Sequence, residues 1–157
     1  MKDSTIIGKF EISSCVPMRD LDSLVQMLRE VEQFLPGWIQ EIHVDMDNDQ
    51  ADAAASIVVR YDYRRATIYL SLKFFDAPER QLRVLVHELC HILQEPLWNH
   101  TKDLRDHILV SGKGERDLLT EVGRHAREQS VCDTADILMR ILDRQRGPDH
   151  STIRNFP

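Results

Sequence analysis

The chain has 157 residues, of which 42% are hydrophobic and 29% charged, and a formal net charge of −6. That length accommodates one domain with a proper core rather than two, and no apolar run approaches the roughly 18 residues needed to cross a bilayer. The negative balance lacks the basic footprint of a nucleic-acid binder. Three cysteines, Cys15, Cys90 and Cys132, with no C-x-x-C pair, argue against a disulfide framework or a cysteine-based zinc ribbon.

Residues 1–8 show no apolar core or small-residue cleavage site of the secretory kind, so a cytoplasmic location is the expectation. Over 18–34, Leu21, Leu24, Val25, Leu28, Val31 and Leu35 recur at three and four, predicting an amphipathic helix closed by Pro36-Gly37. Ile42, Val44 and Met46 then alternate with polar neighbours, as do Ala55, Ile57, Val59 and Tyr61, and the polar stretch 47–52 joins these two predicted strands. A third strand is predicted over 65–74, with Ala66, Ile68, Leu70, Leu72 and Phe74 on one face and Arg64-Arg65 at a charged hairpin turn. Short connections between the three suggest a small, mainly antiparallel sheet.

A central helix is predicted over 77–94, opened by an Asp76/Glu79 capping pair with Pro78 in the first turn and ended at Glu95-Pro96. Apolar residues cover most of its circumference, and Arg80, Arg83, His87, His91 and Gln94 share the remaining sector. Residues 97–114 have weak periodicity and read as loop, with a short helix at most around 104–109. A long helix follows over 115–146, stopped by Gly147-Pro148, and the tail 149–157 reads as mobile, leaving 1–148 as the domain.

The predicted central helix contains His87-Glu88-Leu89-Cys90-His91. Residues four apart on a helix are offset by roughly 40°, so both imidazoles leave one face and can grip one cation. Glu88 then stands beside that cation, where it can take a proton from a metal-bound water, the H-E-x-x-H arrangement of zinc peptidases. Two imidazoles and a carboxylate suit Zn2+.

Catalytic zinc usually has three protein ligands and an open position. No third histidine follows at the extended-motif spacing, where Gln94 and Leu97 stand. Glu128 is the first candidate for the third ligand, since Val131, Cys132, Ala135, Met139 and Leu142 continue its helical stripe and a carboxylate in an apolar stripe needs a partner. Glu121 and His125 on the same stripe are the second and third candidates. The competing account of Glu128 is a solvated glutamate, or one in a salt bridge with Arg124 or Arg127. Asp133 and Asp136 are candidates to orient a ligand histidine. Tyr69, His100, His125 and Arg83 are candidates for stabilising an oxyanion. Cys90 and Cys132 read as small core residues. Asp45, Asp47 and Asp49 start a calcium-loop pattern that Gln50 and Ser56 break, and Ser111-Gly112-Lys113-Gly114 lacks the phosphate-loop spacing.

Over 57–142 the chain resembles the gluzincin branch of zinc peptidases, in particular the minimal, single-domain minigluzincin type and metallopeptidases common in phages and prophages. The resemblance rests on the strand Ala66-Thr67-Ile68-Tyr69-Leu70-Ser71-Leu72, the His87–His91 motif, and Glu128 within Arg127-Glu128-Gln129-Ser130-Val131. It implies an α+β zincin-like fold with an N-terminal helix, a three-stranded mainly antiparallel sheet, the motif helix and a long C-terminal helix. It implies that His87, His91 and Glu128 bind zinc, that Glu88 is general base and acid, and that the preceding strand aligns an extended peptide. Many gluzincins carry an acidic residue four positions after the ligand glutamate; here Cys132 stands there. The expected partner is a peptide or protein substrate, with no nucleic acid and no membrane. The rival readings are an inactive zincin-like metal-binding or interaction domain and a regulatory peptidase that cleaves a repressor or antitoxin.

Overall fold

In the computed structural model, which describes residues 4–47, 53–108 and 113–147, the chain begins with a hairpin that the expected elements do not include. Strands β1 (Thr5–Ile7) and β2 (Phe10–Ile12) pair antiparallel. The turn needs Gly8, whose φ is +53°, a region that side-chain-bearing residues rarely enter. The turn also docks on the first helix: the Lys9 N–H donates to Glu32 Oε1 at 3.0 Å. A Cβ on Gly8 would come within 1.9 Å of that same oxygen. Gly8→Ala is therefore expected to lower stability by about 1–3 kcal/mol, read as a lower urea midpoint with an unchanged slope. A variant as stable as the parent would show that the turn is not docked on Glu32.

Helix α1 (Met18–Glu32) buries Leu24, Met27, Leu28 and Val31 and ends one turn before Pro36, in keeping with its apolar periodicity. It carries the chain across to β3 (Glu41–Met46), which lies parallel to β2. Strand β4 (Ala55–Arg60) and β5 (Arg65–Leu70) form the expected hairpin, turned at Arg64 with φ 55°. Strand β5 also pairs parallel with β3, giving the order β1-β2-β3-β5-β4. The fold is α+β, but its sheet has five strands and is mixed, where three mainly antiparallel strands are the expectation. Two features make the difference: α1 is a crossover, which delivers β3 parallel to β2, and β5 pairs between β3 and β4, antiparallel to β4 but parallel to β3.

Phe10, Ile12, Ile42, Val44, Ala66, Ile68 and Leu70 point to one side of the sheet and join the apolar residues of α1 and the later helices in one core. The opposite face is polar. There Glu11 stands directly across from His43, whose Nδ1 and Nε2 lie 3.0 Å and 3.3 Å from Glu11 and Glu41. Arg65 in turn holds Glu41 at 2.7 Å.

The expected strand over 65–74 stops at Leu70. Ser71 is buried with its hydroxyl donating to the carbonyls of Ala53 and Ala54, and the chain turns into α2 (Leu72–Asp76). Leu72 is consequently exposed, and Asp76 ends α2 rather than capping the next helix. Helix α3 (Pro78–Ile108) runs straight through the expected stop at Glu95-Pro96, so the segment read as a loop from 97 is helical as far as Ile108. Proline removes one helical hydrogen bond, and contacts with α4 (Lys113–Arg146) on both sides of Pro96 offset that loss. Gln94 donates to Ser130 at 2.9 Å, and beyond the proline the Trp98 ring lies 3.5 Å from the place a Gly123 Cβ would take. Val131, Ala135, Met139 and Leu142 form the buried stripe of α4, and Arg146 at its end pairs with Glu30 of α1. Gly147, with φ +81°, ends α4 where expected. No helix among the described residues is long and apolar enough to cross a membrane. The expected connection at 48–52, residues 109–112 and the tail 149–157 lie outside the described residues.

Candidate metal centre and adjoining cleft

Helices α3 and α4 pack in antiparallel register, so that each step of four residues up α3 meets four residues earlier on α4. Arg83 bonds Asp136 at 2.6 Å, and His87 Nδ1 lies 4.0 Å from Cys132 Sγ. The next step brings His91 to Glu128, with 3.8 Å between His91 Nε2 and Oε1. The other carboxylate oxygen, Oε2, stands 3.8 Å from His87 Nε2. The two imidazole centroids are 5.2 Å apart. Hence the donors of His87, His91 and Glu128 converge, all within 4.8 Å of one another.

This donor set fits zinc. Two ligands at about 2.0–2.1 Å from a tetrahedral ion stand about 3.4 Å apart, close to the 3.8 Å separations found here. Burial holds His91 neutral, down to about 4, with Arg127 and His87 adding to the effect and Glu128 opposing it. Neutral imidazole is the form that ligates.

Neither other candidate for the third ligand takes part. Glu121 and His125 pair with each other at 3.3 Å on an exposed face, and Arg124 holds Glu121 at 2.7 Å. Of the partners a salt-bridge account of Glu128 names, Arg124 bonds Glu121 while still feeling the charge of Glu128, and Arg127 bonds Glu95 at 2.6 Å; the Glu128 side chain is itself 44% exposed. A second donor group, Glu11, Glu41 and His43, also converges within 4.8 Å on the far face of the sheet. There each ring nitrogen faces a different carboxylate and Arg65 also holds Glu41.

Glu88 lies beside the triad, only 8% exposed. Burial, and secondarily the charge of Glu128, push its carboxyl up to about 7. A carboxyl with that affinity exchanges protons near neutral pH, as a general base and acid must.

His87, Glu88, His91, Glu95, Arg127 and Glu128 line a cleft of about 530 Å³ whose other wall is residues 55–59 of β4. The strand beside the centre is therefore β4, not the strand that immediately precedes the motif in sequence. β5 has β3 on one side and β4 on the other, so both its edges are paired, whereas β4 is the edge of the sheet.

Several expected roles find no place here. Tyr69 alternates with the core-facing Ile68 and Leu70 and so belongs to the far face of the sheet. His100 and His125 are exposed, and Arg83 is taken by Asp136. None of these four oxyanion candidates lines the cleft. Asp133 bonds Gln129 and Asp136 bonds Arg83; it is Cys132 that lies against the His87 imidazole. Cys132 is exposed rather than in the core, while Cys90 is fully buried and burial pushes its thiol up to about 12. Glu95 and Arg127 are the cleft residues that pattern reading missed. The signal for Glu95 was its position one turn after His91 on the helix face of Glu88; for Arg127 it was adjacency to Glu128. Comparison of the chain with family models, with curated proteins and with solved structures finds no match.

Proposed function

We propose that the chain is a zinc-dependent metallopeptidase of zincin-like fold, with His87, His91 and Glu128 holding the metal and Glu88 moving the proton. The observation that carries this reading is the convergence of three donors at a cleft that also contains a buried carboxyl tuned near neutrality and an edge strand. Bound zinc would supply Lewis-acid polarisation of the scissile carbonyl and of water. Glu88 takes the proton from the attacking water and returns it to the leaving amine. Strand β4 offers an unshared edge on which an extended peptide adds as a further strand. Cys132 rests against His87 Nδ1 and helps fix which ring nitrogen faces Glu128.

Elemental analysis of untagged protein tests the centre. The expected result is about one zinc ion per chain, lost in His91→Ala, weakened in Glu128→Gln and unchanged in Glu121→Gln. Wild-type protein that retains no metal after zinc is supplied would overturn the reading.

A further inference from the structure

One turn beyond His91 on α3, Glu95 reaches across to Arg127 of α4, and the two meet at 2.6 Å with side chains only 10% and 20% exposed. The guanidinium also lies over the Trp98 ring, 5.1 Å from its centroid. It is thereby held rigidly at the wall of the cleft. Its hydrogen bonding is incomplete: the pair uses one Arg127 nitrogen, Nη2, and Nε is buried away from the cleft with no acceptor, so it is the Nη end that meets the cleft. A partly buried arginine with donors to spare, fixed in a cleft, is suited to a carboxylate, which matches its planar fork.

We propose that Arg127 is a substrate-recognition residue that takes a carboxylate of the peptide lying one or two residues from the scissile bond, with Glu95 and Trp98 positioning it. The spacing follows from geometry. One helical turn is about 5.4 Å, and an extended chain advances about 3.3 Å per residue, so a group one turn from the ligand histidine reads the next residue or the one after. The carboxylate is either the peptide's C-terminus or an acidic side chain. This inference rests on the peptidase reading for its meaning, but its test does not need turnover.

Trp98, stacked under Arg127, is a local fluorescent reporter once the second tryptophan is removed as Trp38→Phe. Three probes are titrated: N-acetyl-Ala-Ala, its C-terminal amide, and N-acetyl-Ala-Glu amide. Each is measured on metal-stripped protein and on zinc-loaded Glu88→Gln protein. At least one carboxylate-bearing probe, the free acid or the Ala-Glu amide, is expected to bind at least about tenfold more tightly than the Ala-Ala amide. That preference disappears in Arg127→Gln and is partly retained in Arg127→Lys. Tight binding of the Ala-Glu amide alone assigns the side chain as the source, tight binding of the free acid alone assigns the C-terminus, and tight binding of both shows that Arg127 takes either carboxylate. Should Arg127→Gln lose its circular dichroism signal, Glu95→Gln/Arg127→Gln removes the stranded charge and carries the same expectation. Binding of neither the free acid nor the Ala-Glu amide more tightly than the Ala-Ala amide, or a carboxylate preference that survives loss of Arg127, overturns the proposal. Stoichiometric zinc with no acid preference removes Arg127's role alone. An Arg127-dependent preference in protein that never binds zinc removes the peptidase reading alone.

Discussion

Glu88→Gln is expected to keep about one zinc ion per chain and to slow peptide hydrolysis by about 10²- to 10⁴-fold. The substitution is nearly isosteric and leaves the ligands in place, because Glu88 is not one of the converging donors. It removes only the ability to accept and return a proton. In the native chain that ability is tuned by position: Glu88 follows His87 on α3 and so lies about 100° around the helix from it, on the side lined by the cleft. Desolvation there raises its proton affinity to about 7. The measurement is kcat on a peptide pool together with metal content for both proteins. Full activity in Glu88→Gln would remove it from the proton transfer. Wild-type protein that binds zinc at His87, His91 and Glu128 but hydrolyses nothing would instead indicate a metal-binding domain without catalysis.

The parts of this centre that were legible in sequence are those encoded locally. His87 and His91 share a face because helix geometry fixes residues four apart, wherever the helix lies in the fold. Glu128 was legible because Val131, Ala135, Met139 and Leu142 mark which stripe of α4 is buried, and a carboxylate on that stripe faces α3. Glu121 shares the stripe, and only the interhelical register excludes it, which no local pattern contains. The pairing of Arg127 with Glu95 is likewise long-range. Pro96 misled for a related reason: its local cost is real, but α4 packs on both sides of it and the helix continues. The β1–β2 hairpin has strands of three residues each, too short for alternation to stand out, and it is fixed by pairing with β3 and docking on Glu32. At Leu72 and Phe74 alternation persisted beyond the strand, and the buried Ser71 hydroxyl, bonded to the start of β4, turns the chain there.

The same burial that raises the proton affinity of Glu88 should weaken the metal-free fold, with a pH dependence whose sign is fixed. A carboxyl whose affinity is raised from 4.5 to about 7 on folding stays protonated in the folded chain across that window while the unfolded chain ionises. Stability contributed by the group is thus present below about pH 4.5 and lost as pH rises towards 7. The full loss is about 3 kcal/mol. His91 acts in the opposite sense. Its affinity falls from 6.5 to about 4 on folding, so protonation favours the unfolded chain, and stability rises with pH between those values. From about pH 4.5 to 6.5 the two slopes oppose each other and the wild-type profile should be nearly flat, with a further fall towards 7 from Glu88 alone. Glu88→Gln deletes one slope. Its profile should rise through the His91 window, so that at pH 8 the variant is more stable than wild type by about 2–3 kcal/mol, and near pH 4.5 the two coincide. Urea midpoints of chelator-stripped protein across this range measure it. A difference that does not change with pH would mean that Glu88 gains no proton affinity on folding.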